Sequence, residues 1–506
     1  MSRSLWIAST DGNHAEKIFP SLSGDIEADV AIVGAGITGI VSAYLLAREG
    51  KRVALVEARG VGEGETGRTT AHLSEQIDAR FREVTRQFGA DEARRVAEGG
   101  RIAIDRIEAI AGSERIDCSF RTVPAFLYAS GNEELGALDE EAECARSAGI
   151  AAVRVDETPL PFAVAGAIRF ERQAEFHPLR FLHALARRAA EVGALIFEGT
   201  RALGVEDGEQ AIVETDRGRI RAREVIVASH VPLGQRGILV TRLPAYRTYA
   251  LAARIETPLE PGLYWDTDEP YHYVRTVAGV DGVRIIAGGE DHRTGSVDDP
   301  AARHRALEQW VRERFRIGAI EHRWSGQILE PPDGLPFVGL TGLSRHVRVA
   351  TGYSGQGMTF GVLSAIILTE QILGRVTPWD ELFHPNRIPP AGSLPRHLSE
   401  NLGFPLHLLK DRIADRDVSD RGLDSLGAGE GRIIEIGGEK LAAARDESGA
   451  LHLHSPVCPH LGCDVRWNRA EGSWDCPCHG SRFDVEGALL NGPAVEDLRK
   501  AKKQDG

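Results

Sequence analysis

Near the end of the 506-residue chain, two short strings each offer a thiol and an imidazole: Cys458-Pro-His460-Leu-Gly-Cys463 and Cys476-Pro-Cys478-His479-Gly-Ser481. The spacings C-x-H and C-x-x-H on two loops make a metal donor set. As thiolates, Cys458 and Cys476 would hold one iron of a binuclear [2Fe–2S] centre, and His460 and His479 the other as neutral imidazoles. Such a centre carries less negative charge than an all-cysteine cluster and accepts an electron at higher potential. A Cys₂His₂ zinc site has the same ligand count, but one residue between Cys458 and His460 is tight for a zinc knuckle, and zinc leaves Cys463 and Cys478 unexplained.

A second constellation lies near the start. The apolar run Asp29–Val33 enters Gly34-Ala-Gly36-Ile37-Thr38-Gly39, then a helical stretch and a β-branched run ending in Glu57. This strand, glycine turn, helix and strand suit a dinucleotide. Gly34 makes the turn, Gly36 admits a pyrophosphate to the helix N-terminus at Ile37 and Thr38, and Gly39 allows close packing. Glu57 would bind ribose hydroxyls. A second glycine-rich loop, Gly62 to Gly67-Arg68-Thr69-Thr70, offers amides and hydroxyls to a pyrophosphate and a flavin ring. Late in the chain Gly352-Tyr-Ser-Gly355-Gln356-Gly357-Met358 opens another helix, whose N-terminus suits negative charge on a reduced flavin. These features favour FAD over a nicotinamide.

Several elements must position these residues. Glu224–Ala228 and Val347–Ala350 read as further strands of the nucleotide fold, so that fold is assembled from separated segments. The boundaries expected are an oxidoreductase unit over 1–385, with FAD-binding segments at about 28–80, 165–240 and 330–385. Interleaved cap segments fall at about 81–164 and 241–329, a linker at 386–424, and a hairpin-rich β domain at 425–506. A net charge of −14 argues against a nucleic-acid partner. No secretory signal or spanning segment is evident, and four of six cysteines cluster at the metal motif, so the expected location is cytoplasmic.

The tail resembles the Rieske proteins of cytochrome bc complexes, which carry the same C-x-H-L-G-C and C-P-C-H-G-S strings. The resemblance implies a Cys463–Cys478 disulfide, a hydrogen bond from Ser481 to a cluster sulfur, and a covering proline loop at Gly492-Pro493. Residues from about Asp29 to Arg375 resemble the D-amino-acid-oxidase-like FAD-dependent oxidoreductases, through the glycine motif with Glu57, the strand at Val225–Ala228, Asp333–Gly339 and Thr351–Met358. The fold implied is an α/β FAD-binding Rossmann-like domain with an interleaved α+β substrate cap, followed by a small all-β Rieske domain. The activity implied is oxidation of an amine or similar centre with non-covalent FAD.

A hydride-accepting flavin beside a one-electron cluster is a two-to-one electron converter. The expected function is oxidation of a small amine or amino-acid-like substrate, with electrons passed singly through the cluster to a protein or quinone-like acceptor. Alternatives are a cluster-fed flavin reductase or monooxygenase, and a redox sensor. Catalytic candidates are Thr70 and His72 beside the flavin loop, Arg275 as a carboxylate clamp with Arg247 as its rival, and Glu290 and His292 as acid or base. Tyr246, Tyr249, Tyr271, His272 and Tyr273 alternate along cap strands, where core packing is the plainer reading. Cys118 and Cys144 read as buried thiols.

Phe483 stands where many Rieske proteins have a tyrosine whose hydroxyl reaches a ligand sulfur. With that hydrogen bond missing, the cluster is expected to have a lower potential than Tyr-bearing members; a redox titration giving an equal or higher value refutes this.

Overall fold

A computed structural model of the protein describes residues 3–10, 18–233, 238–279, 282–297, 299–342, 344–390, 418–419 and 423–501. Short runs that are buried on both faces, such as Val53–Val56, can only be central parallel strands. The first sheet runs in the order Phe337–Leu340, Val347–Thr351, Gly218–Val227, Ile26–Val33, Val53–Val56, Leu195–Phe197, with a hairpin of Ala202–Glu206 and Ala211–Thr215 at its side. Its register aligns Val33 with Val56 and with Val227. The turns that follow, beginning at Gly34, Glu57 and Ala228, therefore gather at one carboxyl edge, where open α/β sheets bind ligands. Helices Ile37–Arg48 and Gly357–Ile372 pack together over this sheet, and both are buried along most of their length.

The second sheet is the cap. Its order is Ile317–Leu329, Ala245–Ile255, Gly282–Arg293, His272–Gly279, Leu263–Asp266, Arg121–Ala129, Gly166–Glu175, His72–Leu73, with Ala152–Val155 paired to Gly166–Glu175. This divides the expected FAD-binding segments. Gly166–Glu175 and His72–Leu73 join the cap sheet, because Gly166–Glu175 supplies the antiparallel partner that Arg121–Ala129 needs for its backbone groups. In the other direction, helix Ala90–Ser113, read as cap, packs against the nucleotide-side helix Gly357–Ile372. Most of the expected linker, 391–417, lies outside the described residues.

The C-terminal part forms two four-stranded sheets: Val418–Ser419, Gly431–Ile436, Glu439–Arg445 and Leu451–His454, then Arg466–Asn468, Ser473–Asp475, Arg482–Asp484 and Leu489–Asn491. Between them lies a core of Trp474, Phe483, Val465 and the four cysteines. No helix among the described residues is long and apolar enough to cross a membrane.

The two parts are joined by a buried ionic network. Glu471 of the C-terminal domain accepts hydrogen bonds from Arg247 of the cap at 3.0 Å and from its own domain's Arg482 at 2.9 Å, and Ser325 of the cap also donates to it. Arg482 in turn donates to Asp475 at 2.9 Å. Burial by itself would raise the Glu471 carboxyl; the charges of Arg247, Arg482 and Arg68 outweigh it and hold the group well below the usual carboxylate range. Arg247 is thus committed to the domain interface rather than to a substrate carboxylate.

Glu471→Ala leaves the buried Arg247 guanidinium without its carboxylate, a loss of about 3–5 kcal/mol. Calorimetry is expected to show the C-terminal domain melting earlier and separately from the flavin domain. Because the folded-state pKa of Glu471 is depressed, the stability it contributes is complete at neutral pH and is lost as the pH falls through the acid range; an unchanged melting profile for the variant at neutral pH contradicts this.

Candidate functional site

At the shared carboxyl edge, Gly34 adopts φ +103°, and a Cβ there would stand 2.5 Å from the Ala228 carbonyl oxygen. A Cβ on Gly39 would stand 1.9 Å from the carbonyl oxygen of Gly34, so the helix begins hard against the turn. Glu57 turns back beneath it, accepting the amides of Ala35 and Arg59, each at 2.9 Å. The second glycine loop is pinned from several sides. Ser4 and Trp6 donate to the carbonyls of Gly67 and Thr69, Trp324 donates to Arg68 O at 2.7 Å, and Arg275 donates to the carbonyls of Thr70, Ala71 and Phe176.

These elements enclose a cavity of about 390 Å³. Of the residues expected to hold a cofactor, Gly34, Gly36, Ile37, Thr38, Glu57, Arg68, Thr69, Thr70, Gly355, Gln356, Gly357 and Met358 line it. Gly39, Gly67 and Gly352 do not; they shape the turns behind it, packing against Gly34, Gly62 and Pro331. The lining suits a long polar ligand. Both polar atoms of Gln76, Nε2 of His72 and Oε1 of Gln356 are buried there without a protein partner. FAD fits this donor set, with the glycine turn and Glu57 at one end and the Thr69–Thr70 loop and the Gly357 helix start at the other.

The far end of the cavity is bounded by Thr248, Trp265, Tyr271 and Tyr273, with Asp78 and Arg80 beside them. Thr248 and Tyr273 share a 2.8 Å hydrogen bond. His72 is bonded to Thr70 through Nδ1 at 3.1 Å, and burial, then the charge of Arg275, draws it down to about 3, so it is a neutral imidazole. Three expected catalytic residues are absent from this surface. Arg275 is taken up by the flavin-loop carbonyls and by Glu175 at 3.3 Å. Glu290 is paired with His272 at 3.3 Å and with Arg303 at 3.1 Å, and His292 bonds the Tyr249 hydroxyl and the Arg293 carbonyl. Each turns its polar atoms into ion pairs or hydrogen bonds, most of them with neighbouring elements. Asp78 and Arg80 went unread in the sequence because they sit at the edge of a charged helical stretch. Burial lowers Arg80, whose hydrogen bond to the Asp266 carbonyl is long at 3.5 Å.

In the C-terminal domain the two candidate ligand loops face each other. His460 and His479 have ring centroids 4.9 Å apart, Cys458 and Cys476 are neighbouring buried thiols, and Cys463 and Cys478 are joined by a disulfide. Ser481 lies beside Cys458, and its hydroxyl also accepts the amide of Ala494 at 3.0 Å. Burial, then the charges of His460 and Arg293, pull His479 down to about 4, and burial lowers His460. Both rings are therefore neutral at physiological pH, the form that binds metal. The loop carrying Cys476 and His479 packs on the flavin domain: Gln327, a cavity residue, donates to the Gly480 carbonyl at 2.8 Å, and Pro477 abuts Gly295. The other loop exposes Val457 and Leu461.

The family model described as FAD dependent oxidoreductase (DAO) matches residues 29–371, and that of the Rieske [2Fe-2S] domain matches 420–502. The chain is 35% identical to the putative Rieske 2Fe-2S iron-sulfur protein YhfW of Bacillus subtilis (strain 168), over 98% of this chain and 96% of that one. It is 26% identical to gamma-glutamylputrescine oxidoreductase of Escherichia coli (strain K12), over 78% of this chain and 95% of that one. Glycine oxidase from Geobacillus kaustophilus shares the fold, with a TM-score of 0.61 at 21% identity, covering 72% of this chain and 99% of that one. With a nucleotide cradle, a cap and two facing Cys/His loops in one chain, the protein belongs to the FAD-dependent oxidoreductase (DAO) family, and it is an oxidoreductase using FAD together with a Rieske-type [2Fe–2S] cluster.

Proposed function

We propose that this enzyme oxidises a small amine or amino-acid-like substrate at the Tyr271–Tyr273 end of the cavity and exports the electrons one at a time to an external protein or quinone-like acceptor. When bound, FAD supplies hydride chemistry and the cluster supplies one-electron transfer. The observation that carries the reading is the position of the Cys476–Gly480 loop. It abuts the cavity wall at Gln327, whereas the Cys458–Cys463 loop turns Val457 and Leu461 to the outside. A centre held between these loops has one side toward the flavin site and one toward a partner.

The substrate end carries groups of both signs. Arg80 offers a half-buried guanidinium to a carboxylate, with Tyr271 next to it. Asp291 stands beside Thr248 and Tyr271, with both carboxyl oxygens buried. Asp78 lies nearby but is engaged by the Gly355 amide. Such a patch suits a zwitterion whose carboxylate meets Arg80 and whose ammonium meets Asp291. The amine in the name of the Escherichia coli relative supports the same class. His72, held neutral, adds no competing charge.

Anaerobic mixing with a panel of amines and amino acids is expected to bleach the flavin absorbance before that of the cluster; cluster bleaching first, or no bleaching by any of them, overturns the proposal. Arg80→Ala is expected to raise KM for carboxylate-bearing substrates about 10- to 150-fold, from the loss of a charged hydrogen bond worth about 1.5–3 kcal/mol. Burial pushes Asp291 up to about 7. Its carboxylate form, which attracts an ammonium, forms as the pH rises through that value, so substrate affinity should increase over the same interval. Asp291→Asn should flatten this dependence in a pH series of flavin-reduction rates.

A further inference from the structure

The flavin cavity is not closed by the flavin domain alone. At its glycine-turn end the outer wall is Leu489, Leu490, Asn491, Gly492, Ala494 and Val495, all from the Rieske domain. The same cavity is lined by Gly34, Arg59, Arg201 and Val231 of the flavin domain, and Val231 and Arg201 lie directly against this loop. From the geometry we infer that this Rieske loop is a working part of the FAD site, so that FAD enters and leaves only when the Rieske domain undocks.

Three contacts hold the loop across the cavity mouth. Asn491 Nδ2 donates to Glu65 Oε1 at 2.9 Å, and the other oxygen of Glu65 accepts the Gln327 amide at 2.6 Å, so the latch is fixed to the flavin loop and to the cap together. Arg201 and Asp497 form an ion pair at 2.8 Å, and the same Asp497 oxygen accepts the Leu489 amide at 2.9 Å. A Cβ on Gly492 would lie 3.7 Å from Cβ of Val231. On its own side the loop is tied to the cluster-bearing segment through Ala494 N to Ser481 Oγ at 3.0 Å, and through Leu498 N to Gly487 O at 2.9 Å. It cannot swing aside independently of that segment. Lifting it means separating the domains, and separation breaks the buried Arg247–Glu471 pair.

A ligand enclosed by both domains binds the docked state selectively, so linkage runs both ways. Docking retains FAD, and FAD favours docking. Disturbing the Rieske domain should therefore release a cofactor whose nucleotide motif lies more than four hundred residues earlier in the chain.

The engineered pair Val231→Cys and Gly492→Cys tests this, because 3.7 Å is a disulfide-compatible Cβ separation. Gly492 has no left-handed φ that would oppose a side chain. FAD dissociation from the holoprotein is followed by the rise of free-flavin fluorescence, with wild type carried through the same redox treatments. The oxidised pair is expected to release FAD at least tenfold more slowly than wild type, with release restored on reduction. A complementary variant, Asn491→Ala with Asp497→Ala, should release FAD at least tenfold faster while the visible circular dichroism of the cluster is retained. Release rates within twofold of wild type for the oxidised pair, or for the double alanine variant with its cluster intact, overturn the inference.

Discussion

The buried pairing of Glu471 with Arg247 and Arg482 is the constraint on which the architecture turns. Neither an unpaired guanidinium nor an unpaired carboxylate is tolerated in a dry interface, so the pair is a stringent condition on how the domains meet. It orients as well as attracts. With Glu471 fixed between two arginines and Ser325, the Cys476–Gly480 loop has one place to lie, against Ala245, Gln327 and Gly295 of the cap.

The same economy is visible at the flavin loop. Residues 67–71 present their carbonyls to Ser4, Trp6, Trp324 and Arg275, which come from the N-terminal helix and two cap strands. A loop held on its back face presents Thr69 and Thr70 to the cavity in a fixed geometry, their hydroxyls bonded to the Ala71 amide and to His72. Arg275, whose position beside two tyrosines looked like a substrate clamp, serves this purpose, and burial followed by the opposing influence of Glu175 leaves it at about 10, still charged at neutral pH. Glu290 and His292 are similarly occupied. His272 lies between Asp266 and Glu290; burial opposes its charge, but the two carboxylates prevail and raise it to about 9, so this is an ionic clamp within the cap.

Function then divides along the cavity. The glycine-turn end is shaped by the backbone of the Gly34 turn, with Glu57, Arg59 and Arg201 around it, and offers amides to a pyrophosphate. The far end is aromatic and bears Arg80 and Asp78, with Asp291 behind Thr248 and Tyr271. The Rieske domain overlies the former, leaving the latter to the cap.

What the sequence determined by itself was whatever chemistry is written in contiguous residues: the glycine turn with Glu57, the Thr69–Thr70 loop, the Gly355–Met358 helix start and the two Cys/His loops. Their function depends on local backbone geometry, which fixed spacing encodes directly. The strand runs were legible for the same reason, since burial on one or both faces imposes a pattern on neighbours. Sheet membership was not: Gly166–Glu175 carries the same pattern whether it pairs in the nucleotide sheet or in the cap. Nor was the fate of isolated charges, because an arginine in a strand reads alike as a clamp or as half of an ion pair. Arg247 and Glu471, 224 residues apart, and Asn491 and Glu65, 426 apart, acquire their roles through contacts that no local spacing records. Only the tertiary structure, by excluding water from those pairs, decided which charges hold the protein together and which remain for a ligand.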